Sequence, residues 1–432
     1  MFFKKIFNNR VAKNASWIII SKIIQAILGL VVNMLTARFL GPMNYGIINY
    51  ASSIVAFVIP VMNLGLSNIL VQELLNNPEE EGKILGTSVL LSLISSTFCI
   101  GGILTYTFIV DVGEQLTNLV VGLYSIMLLV LAFELIQYWY QAKLLSKYMA
   151  IVSLVAFTVA TAYKVVLLIL KLGVPLFALS NSIDYLIIVF ALFIIYKKKD
   201  GQNLAFSWPT AKRMLGKSKH YIISSMMVTI FAQTDKIMIK LIIDETAVGY
   251  YSAAVNCAGM TSFVFVAIID SFRPIIYEHK KNGDEKNYEK NIERLYFVVI
   301  YLALLQSIAM TILAYYLIMI LYGSDYLPSI LALQIIVWYT TFSYMGAVRN
   351  IWILGENKQK YLWILNLGGA VINVVLNLFF IHLWGIYGAA IASLITQFFT
   401  NVIMNIIVWP LRHNNTLIIK GLNPSLLLDL FK

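Results

Sequence analysis

Seven ionisable side chains stand inside long apolar runs of this sequence, where water cannot solvate their charges. Four are bases and three are acids: Lys22, Lys164, Lys236, Lys240, Glu134, Asp184 and Asp235. A charge at the centre of a lipid bilayer raises the free energy of insertion by roughly 2.5–3.5 kcal/mol. If these runs cross a membrane, each group is expected to face a partner, a cavity or a ligand.

The first apolar run places polar residues on one side of a helix. Lys22, Gln25, Gly29 and Asn33 follow one another at steps of three and four residues, which is the spacing of a helical face. Such a face does not favour lipid, and we expect it to line a cavity. The alternative is a packing face, in which small Gly29 admits a neighbouring helix.

A second group lies in the segment "QTDKIMIK" at residues 233–240. Gln233, Lys236 and Lys240 share a helical face, and Asp235 is rotated about 100° from Lys236. Lysines four residues apart on a helix repel each other, so an anion is expected nearby. That anion is either one of the three acids in the apolar runs or a bound ligand, and both alternatives stay open.

An arginine stands in the segment "ARFLGPMNYG" between the first two apolar runs. Gly41 and Pro42 predict a break in the helix and a tight turn there. Arg38 then lies near a helix C-terminus, where a cation suits the helix dipole and reaches lipid headgroups. The alternative is that its guanidinium binds a phosphate group in bidentate fashion.

Side-chain amides recur near single helical faces close to the C-terminus. They form two sets, Asn366, Asn373 and Asn377, then Gln397, Asn401 and Asn405. Amides can bind sugar hydroxyls, but they also link helices to each other within a membrane. We favour the second interpretation.

The composition identifies the elements that hold these residues. The chain has 432 residues, of which 60% are hydrophobic and 12% are charged, against about 25% charged in soluble domains. Its apolar runs are long enough to cross a bilayer as helices. The sequence therefore predicts an all-α polytopic membrane protein with twelve spans, at about 15–37, 45–66, 84–109, 116–140, 150–170, 174–196, 221–243, 247–271, 295–321, 328–349, 361–381 and 384–409.

The positive charges predict the orientation of these spans. Of the 32 Lys and Arg residues, 26 lie at the N-terminus, in or beside the even-numbered loops, or in the C-terminal tail, and only Arg38 and Lys171 lie in odd-numbered loops. By the positive-inside rule, both termini are predicted to be cytoplasmic. Because the basic residues are spread over many loops, a nucleic-acid partner is not expected.

Weak internal repeats predict two similar halves. "NYGIINYAS" around Gly46 matches "AVGYYSAAV" around Gly249 at an offset of 203 residues, and two other segments match at offsets of 213 and 212. Six spans in each half predict two bundles related by a pseudo-two-fold axis along the membrane normal. The corresponding domains are residues 1–196 and 221–409, joined by a cytoplasmic linker at 197–220 and followed by a tail at 410–432.

Several motifs resemble a known family. "ARFLGPMNYGIINYASSIVAF" with "NLGLSN", then "AQTDKIMI", "VGYYSAA" and "SFRPIIYEH", are similar to the polysaccharide biosynthesis/export proteins, the Wzx-type flippases of the multidrug/oligosaccharidyl-lipid/polysaccharide superfamily. The resemblance implies a V-shaped transporter of about 12 transmembrane helices in two six-helix bundles. It also implies a bacterial cytoplasmic (inner) membrane protein that moves an undecaprenyl-pyrophosphate-linked glycan to the outer leaflet, for O-antigen, capsule or other surface polysaccharide.

The candidate site residues follow from these patterns together. The substrate-binding candidates are Lys22, Gln25, Asn33, Arg38, Lys164, Gln233, Lys236 and Lys240, and the gating or charge-pairing candidates are Glu134, Asp184 and Asp235. The family commonly carries the aspartate that corresponds to Asp235, which favours a structural or gating role there. Membrane lipids are expected partners, and a polysaccharide polymerase is a further candidate.

Enzyme chemistry is not expected from this sequence. It has no Walker A motif, no metal-ligand spacing and no convincing nucleophile–base pair. We therefore expect neither an enzyme nor a cofactor, and coupling to an ion or proton gradient stays open.

Two other functions compete with the flippase. A cation-coupled multidrug antiporter of the same superfamily would need carboxylates in its cavity, yet the first three spans contain no Asp or Glu. A membrane-embedded glycosyltransferase or polymerase would need a large outer loop, and every predicted outer loop is short.

Overall fold

The computed structural model describes residues 10–426, with side chains from residue 24 onward. The regular elements within that range are all helical. The α-helices are α1 (Arg10–Met62), α2 (Leu70–Asn76), α3 (Glu81–Val110), α4 (Gln115–Ser125), α5 (Met127–Glu134), α6 (Gln137–Ala142), α7 (Ser146–Ile169), α8 (Val174–Ala178), α9 (Ser180–Lys198), α10 (Trp208–Ile242), α11 (Glu245–Ala258), α12 (Ser262–Lys281), α13 (Glu285–Leu321), α14 (Ser329–Gly355), α15 (Leu362–Phe398), α16 (Met404–Ile407) and α17 (Arg412–Gly421).

Two of the longest helices each contain a break at a glycine. Gly41 in α1 has φ 72° and Gly385 in α15 has φ 58°, and both values are non-helical. The described residues form 10 helical segments long and apolar enough to cross a membrane. If the segments that contain α1 and α15 each divide at such a glycine into two crossings, these ten segments agree with the predicted twelve spans. The chain is a multi-pass membrane protein.

Large apolar side chains cover much of the outer surface. Phe98, Phe108 and Ile312 expose 78%, 80% and 71% of their area. Soluble proteins rarely expose contiguous apolar patches of large extent. A hydrocarbon environment explains this surface, because the helices satisfy their own backbone hydrogen bonds and apolar side chains can face lipid.

The chain forms two compact units. Unit 1 comprises Met1–Leu40 and Ile47–Gln233, and unit 2 comprises Gly41–Gly46 and Thr234–Lys432. The contact-defined boundary therefore falls inside α10, after the linker proposed at residues 197–220. That proposed domain division remains a prediction.

The segment before α10 packs within unit 1. The backbone N–H of Ala205 donates to the carbonyl of Gly82 over 3.1 Å, and the N–H of Ser207 donates to the Thr87 hydroxyl over 3.0 Å. These bonds hold residues 201–207 along the start of α3.

The beginning of α10 is also held within unit 1. The buried carboxylate of Glu73 pairs with Arg213 over 3.3 Å and with Lys217 over 2.5 Å. Both basic residues lie on α10 and Glu73 lies on α2. The hydrophobic core of unit 1 lies beneath these contacts, with Trp139, Tyr140 and many aliphatic residues packed together.

The short segment Gly41–Gly46 packs against α11 inside unit 2. A Cβ atom on Gly249 would overlap the Pro42 carbonyl, and one on Gly46 would overlap the Glu245 carbonyl. Gly46 and Gly249 are the matching positions of the sequence repeat. Only glycine lets the two backbones approach this closely.

Candidate functional site

A buried carboxylate on α10 organises the polar interior of unit 2. Asp235 is 9% exposed and accepts hydrogen bonds from four side chains. The Tyr251 hydroxyl donates over 2.6 Å, and the amides of Asn373 and Asn377 donate over 3.0 and 2.7 Å. The Ser393 hydroxyl also donates to it. These five residues form the Asp235 cluster.

The helices explain how these residues meet. Asn373 and Asn377 are four residues apart, so they lie on one face of the first part of α15. Ser393 follows the break at Gly385, which directs the second part of the same helix to the same carboxylate. Tyr251 comes from α11. The Asp235 cluster therefore links three helices through one side chain.

The chemistry of the Asp235 cluster suits a small hard cation or a proton. The amide oxygens of Asn373 and Asn377 are buried and make no hydrogen bond to any described residue. Such oxygens are of the type that hard cations prefer, although each amide turns its nitrogen, not its oxygen, toward Asp235. A proton on the carboxylate is the other way to compensate its charge.

The two lysines that follow Asp235 on α10 have different surroundings. The Nζ of Lys240 lies 3.7 Å from Glu245, and both side chains are buried. Lys236 is half-buried and makes no hydrogen bond or ion pair with residues 24–426, although the adjacent Asp235 attracts its charge. The expected anion beside Lys240 is therefore a carboxylate on α11, whereas Lys236 has no such partner in the described part of the chain.

A second group of charges lies in unit 1. Lys164 and Asp184 attract each other, and Glu134 lies close enough to Asp184 to repel it. The three side chains come from α7, α9 and α5, and all are half-buried. One carboxylate oxygen of Asp184 is buried without a hydrogen-bond partner among the described residues. These three residues form the Asp184 cluster.

The remaining candidates from the first span are only partly described. Gln25 and Asn33 are half-buried on α1, and a Cβ on Gly29 would come within 3.2 Å of the Phe157 ring. Arg38 is exposed. The side chain of Lys22 lies outside the described residues. The roles of all these residues stay predictions.

The amides of the last span bond mainly among themselves. Asn401 donates to the Gln397 oxygen over 2.5 Å, and Asn405 donates to Asn415 over 3.1 Å. The chain forms a π-helical turn at Phe399–Ile403. These contacts join helical segments of unit 2.

Sequence reasoning did not identify Tyr251, Ser393 or Glu245 as site residues. Tyr251 and Ser393 lie in apolar segments and carry no charge, so no spacing rule distinguishes them. Glu245 was a possible signal, because it is an acid directly beside a predicted span. Asn373 and Asn377 were recognised as a polar face but interpreted as links between helices.

The fold is similar to that of solved membrane transporters. An inward-facing multidrug resistance MATE family transporter of the MOP superfamily aligns with a TM-score of 0.67 at 13% identity, over 90% of this chain and 96% of that one. The lipid II flippase MurJ in an inward closed conformation aligns with a TM-score of 0.65 at 13% identity, over 93% of this chain and 90% of that one. At this identity the likeness establishes the fold.

The sequence comparisons identify the family. No curated protein matches this chain in sequence. A family model described as polysaccharide biosynthesis protein matches residues 11–280, which is more than half of the chain. The match covers the turn at Gly41–Pro42, α10 with Asp235 and Lys236, and the repeat glycines. The chain therefore belongs to the polysaccharide biosynthesis protein family.

Proposed function

We propose that this protein is a flippase that moves an undecaprenyl-pyrophosphate-linked oligosaccharide from the inner to the outer leaflet of a bacterial cytoplasmic membrane. The glycan would serve O-antigen, capsule or another surface polysaccharide. The family match and the transporter fold support this proposal. The distribution of Lys and Arg supports cytoplasmic termini.

The observation that carries the proposal is the unpaired ammonium of Lys236. A cation within a membrane protein needs a compensating anion, and the adjacent Asp235 attracts Lys236 without forming an ion pair or hydrogen bond with it. A pyrophosphate would supply a directly bound anionic partner. Lys22, Lys164, Gln25, Asn33, Arg38 and Gln233 are proposed to assist, while Lys240 is already paired with Glu245.

The mechanism we propose is alternating access without bond chemistry. The polar headgroup binds inside the protein, and the polyprenyl chain stays in lipid. Keeping each CH₂ group of that chain out of water lowers the free energy by about 0.8 kcal/mol. No bond is made or broken, so no catalytic residue is assigned. Membrane lipids surround the protein during transport, and a polysaccharide polymerase is proposed to use the translocated glycan-lipid.

We propose that the Asp235 cluster couples this movement to an ion or proton gradient. Occupancy by a cation would neutralise Asp235 and alter the bonds that join α10, α11 and α15. The observation in favour is that the buried Asp235 carboxylate is hydrogen-bonded to four neutral donors and not to a cation. Replacing sodium with choline in a thermal-melting assay would lower the Tm of the wild-type protein and leave that of Asp235→Asn unchanged if the cation is sodium.

The decisive experiment follows the lipid-linked glycan in cells that lack the protein. The leaflet is determined by susceptibility to an externally added glycosidase. Accumulation of the complete glycan-lipid in the protected, cytoplasmic leaflet is expected. Normal export in those cells, with no second transporter present, would overturn the flippase proposal.

A multidrug antiporter is the second candidate, and one observation favours it. Asp184 presents a buried carboxylate oxygen without a described partner, which is a group that a cationic drug could bind. Uptake of a fluorescent cation into vesicles that contain the protein tests this function. The flippase proposal expects no gradient-dependent uptake.

A further inference from the structure

Unit 1 contains a polar cavity that is not lined by any of the charged candidate residues. Its volume is about 480 Å³, and it lies between the end of α1, the turn that follows at residues 63–68, and one face of α10. Cavities for small ligands commonly measure about 300–1,000 Å³. The positive-inside rule places the loop after α1, and hence this cavity, at the cytoplasmic end of unit 1.

The turn contributes three polar side chains to the cavity, Asn63, Ser67 and Asn68. Leu64 and Gly65 are consecutive left-handed residues, with φ 50° and 67°. A bulky residue such as leucine rarely adopts this conformation, and strained residues of this kind concentrate at functional sites.

The turn also packs closely against α10. A Cβ on Gly65 would lie 2.6 Å from the Ser218 carbonyl oxygen, so the backbone at Gly65 lies directly against the helix. The close contact fixes the position of the turn. Asn63, two residues before Gly65, lines the cavity beside this contact.

The facing side of α10 carries two parallel stripes. Ser225, Thr229 and Gln233 follow at steps of four residues and supply hydroxyl and amide groups. Val228 and Ala232 form an apolar stripe beside them. A sugar ring has the same division, since its hydroxyl groups lie at the rim and its C–H groups form apolar faces.

Several of these polar groups are available for a ligand. The side chains of Asn63, Ser224 and Gln233 make no hydrogen bonds to other residues in the described range. An amide offers both donors and an acceptor, and a hydroxyl offers one donor and an acceptor. This combination matches sugar hydroxyls, which are also donors and acceptors.

The absence of charge narrows the ligand class. No residue that lines the cavity is acidic or basic. A pyrophosphate would be expected to bind where basic groups stand, and a cationic drug where carboxylates stand. The lining suits a neutral, hydroxyl-rich group instead.

We propose that this cavity is a subsite for sugar residues of the transported glycan, separate from the lysines proposed to bind the pyrophosphate. The proposal rests on the proposed flippase function. It assigns Asn63, Ser224 and Thr229 to sugar recognition, so that specificity for the glycan is determined at the cytoplasmic end of unit 1 before transport.

Binding of two lipids to the purified full-length protein tests the subsite. The probes are undecaprenyl pyrophosphate without sugar and the complete glycan-lipid extracted from cells that lack the protein. We expect wild-type protein to bind the glycan-lipid about tenfold more tightly, as a few added hydrogen bonds would allow. Asn63→Leu should reduce this preference to about twofold, with binding of the bare lipid unchanged.

A matched control separates recognition from general damage. Thr229 in the cavity and Thr158 on the exposed side of α7 each donate to the carbonyl four residues earlier, over 3.0 and 2.8 Å. Thr229→Val should reduce the preference for the glycan-lipid, whereas Thr158→Val should not. If Asn63→Leu loses binding of the bare lipid as well, the smaller change Ser224→Ala replaces it.

The outcomes distinguish this proposal from the flippase proposal. Equal binding of both lipids by wild-type protein, or variants that keep the full preference, would overturn the sugar subsite and leave the flippase intact. Failure of cells without the protein to accumulate any glycan-lipid would overturn the flippase and the subsite together.

Discussion

Each unit holds an aspartate among its membrane helices, but the two carboxylates are satisfied in different ways. Asp235 in unit 2 accepts hydrogen bonds from four neutral side chains. Asp184 in unit 1 lies near Lys164 and Glu134 and keeps one buried oxygen without a described partner. The same residue type is thus a structural centre in one unit and part of a loosely satisfied charge group in the other.

This difference shows how neutral donors and charges act within a membrane. Neutral donors fix the orientation of a carboxylate without removing its charge, so the Asp235 cluster links three helices through one carboxylate. A neighbouring lysine offsets much of the negative charge of a carboxylate but constrains its orientation less. We therefore expect Asp235 to matter for both stability and transport, and Asp184 to matter less for stability.

The largest effect is expected from Asp235→Ala. Four buried donors would lose their acceptor, and each buried unsatisfied group costs about 1–3 kcal/mol. We expect the free energy of unfolding to fall by at least about 3 kcal/mol, measured as a lower Tm in detergent, and glycan export to be lost. Asp184→Ala is the matched control, and an equal loss of stability in both variants would contradict the comparison.

The lysines beside Asp235 should separate transport from stability. Lys236→Met removes a cation without a described ion-pair partner, so we expect unchanged or higher Tm and at least about tenfold slower flipping, equal to about 1.4 kcal/mol in the barrier. Lys240→Met removes the lysine that lies 3.7 Å from the buried Glu245, so we expect a lower Tm.

The glycosidase-protection assay and thermal melting measure the two effects side by side. Lys236→Arg, which keeps the charge, should retain part of the flipping activity. Equal flipping by Lys236→Met and wild-type protein, at equal protein levels, would remove Lys236 from the proposed site.

The smallest effect is expected in the Asp184 cluster. A double-mutant cycle with Lys164→Met and Asp184→Asn should give a coupling energy of about 1 kcal/mol, because partly buried opposite charges interact modestly. Thermal or denaturant unfolding of the four proteins provides the measurement. A coupling energy near zero would show that the two charges do not support each other in the folded protein.

Local features of the fold were predictable because they depend on short stretches of chain. Apolar runs predict twelve spans, and the glycine–proline pair predicts the break found at Gly41. The break at Gly385 was also implied by the boundary between the last two predicted spans. The shared face of Asn373 and Asn377 follows from helical spacing alone.

The partners of the candidate residues were not predictable in the same way. Ser393 lies 158 positions from Asp235, and no local pattern connects them. Lys240 could have paired with any acid in the apolar runs, yet it lies beside Glu245, outside that set. The polar cavity combines a turn after α1 with α10, which are separated by more than 150 residues.

The sequence by itself determined that this chain crosses a membrane many times, where its helices turn, and which charges must find partners there. These properties follow from hydropathy, helical period and the high free energy of an unsolvated charge, all of which act locally. Only the tertiary structure decided which partner each charge has, because that depends on how distant helices pack. It gave Asp235 four neutral donors and Lys240 a carboxylate, and it left Lys236 without an ion-pair partner among the described residues.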